Sequence, residues 1–236
     1  MISVSHITKP PKKAPIPPLR DGDRLTVAEF ERRYESMPHV KKAELIEGVV
    51  HMPSPVRFQS HGAPHISFSA WLATYMAYTP GVEAGDNSTV RLRVGENEPQ
   101  PDCCLRISEA CGGQSRVDED DYLEGSPEWM GEVSASSAKI DYQKKLPVYE
   151  KNGVLEYVIW RVEDEAIDWF VLKRGKYQPQ ALTKDGLYKS KTFPGLWLDV
   201  AAMISGNLAK VIEVVQKGIS SPDHKRFVAK LKAKKK

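Results

Sequence analysis

A lone glutamate inside an apolar run constrains this chain more than any other feature. Residues 128–134 read Glu-Trp-Met-Gly-Glu-Val-Ser, a strand-like segment with Glu132 near its middle. Buried without a partner, such a carboxylate costs several kcal/mol. Either the strand lies at an edge with Glu132 in solvent, or the fold brings it a cation, a metal or a hydrogen-bonding network. A second acid favours the latter. Asp102 follows Pro101 at the head of another apolar strand, 101–107, where a strand-end carboxylate is well placed to hold a metal in a cleft.

The segment after Glu132 offers the countercharge. Residues 139–151 read as a helix ended by Asn152-Gly153. Asp141, Lys145 and Tyr149 recur at four-residue spacing and share one face. On a surface this is an ion pair worth a few tenths of a kcal/mol. Turned inward, it sets the Lys145 ammonium beside the carboxylates, where it could orient a water or stabilise charge on a reacting phosphate. Pro147 deletes one helical hydrogen bond and should bend the segment. Two carboxylates, a lysine and a divalent cation are what phosphodiester hydrolysis asks for, and magnesium prefers oxygen ligands. The same acids would suit a glycosidase, but no aromatic sugar platform accompanies them. Walker, GxGxxG and GxSxG motifs are absent.

Around this centre, Thr26 with Glu29 reads as a capping box opening a helix that ends by Pro38. Residues 43–52 form two short strands turning at Glu47-Gly48. A long helix follows over 58–78, with Ile66, Phe68, Trp71, Leu72 and Tyr75 inward. Residues 88–94 alternate as a strand, with Val90, Leu92 and Val94 on one face. The acidic stretch 118–121 is a solvated loop, and 154–162 with 166–173 make a hairpin. Further strand residues reach Phe193, and Gly195–Val200 lead into a C-terminal helix. The fold class is α/β (α+β), a mixed sheet flanked by helices. The aromatic residues of 154–172 either fill its core or offer an interface for a homodimer.

With 41% hydrophobic and 28% charged residues, the composition is that of a soluble globular protein. No apolar run approaches the roughly 18 residues of a membrane span, and the first residues lack a signal-peptide core. A cytoplasmic location is expected. Cys103, Cys104 and Cys111 lack zinc-finger spacing, and Cys103 and Cys104 read as small buried residues. The net charge of +3 comes from one end: residues 224–236 carry seven Lys or Arg and no acid. That segment reads first as a solvated, disordered tail, second as a phosphate-binding one. Residues 9–18 hold five prolines and three lysines, marking an extended or disordered arm. The division expected is an arm over 1–23, a domain over 24–217 and a basic tail over 218–236.

Several segments carry a further signal in their order. They are Leu25–Phe30, Glu44–Met52 with Ser54-Pro55, His61, and Gln100-Pro101-Asp102. Glu132-Val133-Ser134 with Ser136-Ser137 follows, then Asp141, Lys145, Tyr149 and Gly153-Val154, Glu156-Tyr157, and Gly195–Asp199. Over roughly 25–200 the chain resembles the Uma2 family (DUF820) of bacterial restriction-endonuclease-like proteins. The resemblance implies a PD-(D/E)xK fold, in which Asp102 and Glu132 bind Mg²⁺ (or Mn²⁺). Where many such nucleases place the motif lysine, position 134 is Ser134 here, so the role passes to Lys145. Glu44 would be the fourth catalytic member, with His61 and Tyr149 accessory. DNA is the implied substrate, with RNA as the alternative, and a homodimer would cut both strands. Against this stands a non-cleaving nucleic-acid- or protein-binding module with the same fold, which the acidic body of the chain favours. The arm and the basic tail lie outside the resemblance.

Overall fold

The computed structural model describes residues 15–52, 55–135 and 140–235. Most of the proline-rich arm, and Ser54, Ser136 and Ser137, lie outside the described residues. In chain order the first elements are α1 (Val27–Glu35), β1 (Glu44–Ile46), β2 (Val49–His51), α2 (Ala63–Ala77), β3 (Val82–Asp86), β4 (Val90–Arg91) and β5 (Cys103–Ile107). Next come β6 (Arg116–Val117), β7 (Leu123–Glu124), β8 (Trp129–Ser134), α3 (Leu146–Asn152), β9 (Glu156–Arg161), β10 (Ala166–Lys173) and β11 (Lys176–Pro179). The chain closes with β12 (Leu187–Lys189), β13 (Trp197–Asp199), α4 (Val200–Ile204), α5 (Leu208–Ile219) and α6 (Pro222–Lys234).

Six strands form the main sheet, in the order β11-β10-β9-β8-β5-β3. β8 and β9 run parallel through the crossover that contains α3, and the other neighbours are antiparallel. The sheet is mixed and flanked by helices. β8 is central and all six of its residues are buried, so a solvent-facing Glu132 is excluded. Alternation divides the strand. Trp129 and Val133 join Phe68 and Trp71 of α2 in one core, while Met130 packs with Val148 and Tyr149 of α3 in another. Gly131 is required between the aromatics: a Cβ there would come within 2.4 Å of Trp129 and 2.7 Å of Phe68.

Several expectations change. Ile66 is 66% exposed, on the opposite side of α2 from Phe68, Trp71, Leu72 and Tyr75. The strand expected over 88–94 shortens to Val90–Arg91, because Leu92 N bonds Asn97 O and the chain turns at Gly95, φ +79; Val94 is left exposed. Thr26 caps α1 by accepting from Glu29 N, but the Glu29 carboxylate turns instead to Arg32 and Arg33, which offer charge-assisted bonds. Tyr157, Trp160 and Trp169 are core residues, not a dimer surface. Part of the expected arm packs on the fold, where Leu19 is buried and Gly22 N bonds Val50 O.

The largest correction is at the C-terminus. Residues 222–234 are helical rather than a disordered tail, capped by Ser221 and anchored by buried His224 and Leu231, with Phe227 against the core. Those three residues lie at helical spacing within the lysine run, a stripe that the charge density masks. Among the described residues no helix is long and apolar enough to cross a membrane.

Candidate active site

Strand register brings the two acids together. The β5–β8 ladder pairs Cys103 with Gly131, so one step further sets Asp102 across from Glu132. The Asp102 carboxylate finishes that end of the ladder by accepting from Val133 N at 2.8 Å through Oδ2. Its Oδ1 faces Lys42 Nζ at 3.3 Å and His61 Nε2 at 3.6 Å. Lys42 had escaped notice. It stands two residues before Glu44, and that extended spacing puts both on one side.

Lys145 arrives from a distorted turn. Residues Asp141–Lys145 form a single π-type turn in which Leu146 N bonds Asp141 O, and Pro147 then enters the first turn of α3. Inserted π turns recur at functional sites. The turn directs Lys145 Nζ to 2.9 Å from Glu44 Oε1, 3.0 Å from Glu132 Oε1 and 3.9 Å from Asp141 Oδ1. Tyr149 OH donates to Glu132 Oε1 at 3.2 Å, and Gln100 N donates to Glu44 Oε1 at 2.7 Å. Glu44, Asp102, Glu132, Asp141 and Lys145 are all buried. Lys144 points elsewhere, with Nζ 3.5 Å from His51 Nε2.

The cluster gathers carboxylates around two lysines. Glu44, Glu132 and Asp141 face Lys145, and Asp102 faces Lys42. Burial pushes the Glu132 carboxyl up, and its acidic neighbours add to this against the pull of Lys145. For Lys145, burial works to lower the pKa, but Glu132, Glu44 and Asp141 outweigh it and hold it well above its ordinary value. Lys145 is therefore a fixed cation and no proton acceptor. Burial and the surrounding carboxylates raise the Tyr149 hydroxyl well above its ordinary range, so it stays a donor.

His61 is held against the same carboxylate. Its Nδ1 lies 2.8 Å from Val133 O. A carbonyl only accepts, so Nδ1 carries a proton, and Nε2 is left facing Asp102 Oδ1. The oxygen-rich donor set suits a hard divalent ion. Yet Glu44, Asp102 and Glu132 do not converge on one point, because Lys145 stands between Glu44 and Glu132. Among the described residues, the three-donor group whose ligand atoms all lie within 4.8 Å of one another is His65, Asp86 and Cys103. Sequence reasoning did not find that trio, whose members are far apart in the chain.

Comparison with known proteins agrees with this architecture. The Uma2 family profile, described as "Putative restriction endonuclease", matches residues 27–201. The crystal structure of "a putative nuclease belonging to DUF820" from Anabaena variabilis ATCC 29413 superposes with a TM-score of 0.59 at 17% identity. The superposition covers 77% of this chain and 98% of that one. A search of curated proteins returns no match. The profile spans most of the chain, including the strands of Asp102 and Glu132 and the turn of Lys145; the chain belongs to the Uma2 family of restriction-endonuclease-like proteins.

Proposed function

We propose that this protein is a metal-dependent endonuclease that hydrolyses DNA phosphodiester bonds at the Glu44–Asp102–Glu132–Lys145 cluster. The observation that carries the reading is the buried Lys145 ammonium within 3.0 Å of Glu132, on the strand next to Asp102. Asp102 and Glu132 would hold Mg²⁺ or Mn²⁺, with His61 beside them. When bound, such an ion supplies Lewis-acid charge at the phosphoryl group and acidifies water. The remaining work falls to the chain itself. Lys145, locked in its charged form, stabilises the negative charge that grows on the phosphoryl oxygens. Glu44 and Tyr149 hold Lys145 and Glu132 in place, and Lys42 orients Asp102. Cleavage of both strands in one encounter would take two copies, so a homodimer is part of the proposal.

The basic end of the molecule supports nucleic acid as the partner. Lys189, Lys191, Arg226 and Lys230 line an open groove of about 550 Å³, with Trp197 and Phe227 at its wall; Asp223 also lines it and pairs with Arg226. Groove cations of this kind contact phosphates.

A non-cleaving module is the second reading. It is favoured by the closed Lys145–Glu44–Glu132 ion cluster, in which the lysine already stands between the two carboxylates. Calorimetry with Mn²⁺, run alongside digestion of supercoiled and linear DNA, separates the two. The nuclease reading expects binding and cleavage, both lost in Asp102→Asn. Undetectable Mn²⁺ binding together with intact DNA would sink it.

A further inference from the structure

The opposite face of the sheet holds a second set of ligating atoms. β3 and β5 pair antiparallel with Asp86 directly opposite Cys103, so these two side chains leave the sheet on the same side. α2 lays His65 over them. His65 Nε2 is 2.8 Å from Asp86 Oδ1 and 3.0 Å from the Asp102 carbonyl oxygen. The Cys103 thiol is buried, with Ser69 Oγ at 3.5 Å. One donor atom from each of His65, Asp86 and Cys103 lies within 4.8 Å of the other two.

We propose that His65, Asp86 and Cys103 form a binding site for a borderline-soft divalent cation of the zinc class, separate from the carboxylate site of Asp102 and Glu132. The donor chemistry argues for it first. Thiolate and imidazole favour zinc-class ions, whereas magnesium takes oxygen ligands. Spacing argues for it second. Bond lengths of about 2.3 Å to sulfur and about 2.0–2.2 Å to nitrogen or oxygen put tetrahedral ligand atoms roughly 3.3–3.6 Å apart. The trio meets this by opening the 2.8 Å His65–Asp86 contact, its donor atoms all lying within 4.8 Å of one another. Position argues third: two residues are register partners on adjacent strands and the third sits on a packed helix, so the site is largely preorganised.

The Asp86 side chain is 63% exposed, which gives the ion a route in and leaves room for water as the fourth ligand. On binding, the Cys103 thiol gives up its proton to solvent. In the metal-free protein His65 Nε2 donates to the Asp102 carbonyl oxygen, so ligation through Nε2 leaves the ring proton on Nδ1 instead. The ion would tie β3, β5 and α2 together directly behind Asp102, which precedes Cys103 in the chain. None of this depends on the nuclease reading. It also separates two kinds of metal response, a hard ion at the carboxylates and a softer one here.

Co²⁺ titration of the chelator-washed, full-length protein tests the site. The expected result is a thiolate-to-cobalt charge-transfer band, with intense visible bands of tetrahedral cobalt, saturating at one ion per chain and bleached by Zn²⁺. Excess Mg²⁺ should leave the bands in place. Cys103→Ser should lose the charge-transfer band, and Asp86→Asn and His65→Gln should weaken binding on the order of tenfold or more. Cys104→Ser, Cys111→Ser and Glu132→Gln should keep both band and affinity. Asp86 is exposed, so its variant remains informative if a buried Cys103 change impairs folding. Absence of a thiolate band at stoichiometric Co²⁺ overturns the proposal, leaving a His65–Asp86 contact beside an inert thiol. So does a band that survives Cys103→Ser, or cobalt binding that only Glu132→Gln abolishes.

Discussion

The two faces of β8 solve opposite problems with the same strand. Toward α2, Trp129 and Val133 meet Phe68, Trp71 and Trp169 in an aromatic core whose rings lie 5.5–6.3 Å apart. Apolar contacts dominate there, although Trp129 Nε1 is buried without a hydrogen-bond partner among the described residues, and Gly131 is small because the rings need its space. Toward α3, Glu132 draws Lys145, Glu44, Asp141 and Tyr149 into a region where charge is costly. One face is an apolar core throughout; the other sets its charged cluster beside a second apolar core of Met130, Val148 and Tyr157. The difference suggests that the charged face is kept for chemistry, and substitutions on the two faces should separate stability from activity.

The largest effect should come from Lys145→Met, which keeps the bulk of the side chain and removes its charge. Loss of one electrostatic stabiliser of a transition state costs roughly 10²–10³-fold in rate, and DNA cleavage should fall by that order. Breaking a buried ion pair by removing one partner also costs about 3–5 kcal/mol, so denaturant melts should show a matching loss. Lys144→Met should change neither, since Lys144 faces His51. Equal losses in the two variants would place the working lysine wrongly. Gly131→Ala is the counterpart on the aromatic face. Overpacking of this kind costs about 1–3 kcal/mol, and whatever protein remains folded should bind Mn²⁺ normally. A variant as stable as the parent would show that the rings can yield.

The pH dependence sharpens the same contrast. Glu132 has a folded pKa raised above its ordinary 4.5, chiefly by burial. A raised folded pKa contributes stability that is complete below 4.5 and drains away as pH rises through the folded value. The metal-free protein should therefore lose stability on going from mildly acidic to alkaline pH. Glu132→Gln should flatten that slope and gain stability at its alkaline end, while losing cleavage. Mn²⁺ should bind more tightly as pH rises, since it takes the ionised carboxylate. A metal-free slope unchanged by Glu132→Gln would assign the titration to another buried acid, with Glu98 the first to examine: burial and Glu31 raise its pKa to about 8.

Much of this site was legible because the sequence carries its conflicts openly. A glutamate within an apolar strand demands a partner, and the four-residue repeat of Asp141, Lys145 and Tyr149 supplies one at helical spacing. Even so, the turn that aims Lys145 is π-type, a geometry that local propensity does not announce. The acid at position 102 was readable as a strand end, but its place opposite Glu132 depends on register between distant strands. Lys42 and the His65–Asp86–Cys103 trio were invisible for the same reason. At the C-terminus the opposite error arose: lysine density hid the His224, Phe227 and Leu231 stripe.

That hidden stripe changes how the weakest predicted effect must be measured. Deleting 224–236 would strip buried Leu231 from the core and His224 from its contact with Thr79 Oγ1 at 2.9 Å. A loss of DNA binding after deletion would then report unfolding as readily as lost phosphate contacts. Point changes at the groove avoid this. Lys230→Gln and Lys191→Gln remove charge without touching the apolar anchors, so melting temperatures should hold. If these lysines meet phosphates, each should lower the slope of log affinity against log salt by up to about 0.9, a modest effect beside that of Lys145. Cleavage of a short duplex at saturating concentration should be nearly unchanged, because the groove acts on affinity and the cluster on rate. An unaltered salt slope in the double variant would make the C-terminal helix a purely structural extension of the domain. Nucleic-acid binding would then have to come from some other part of the molecule, and the charge difference between the two ends would carry no information about the substrate.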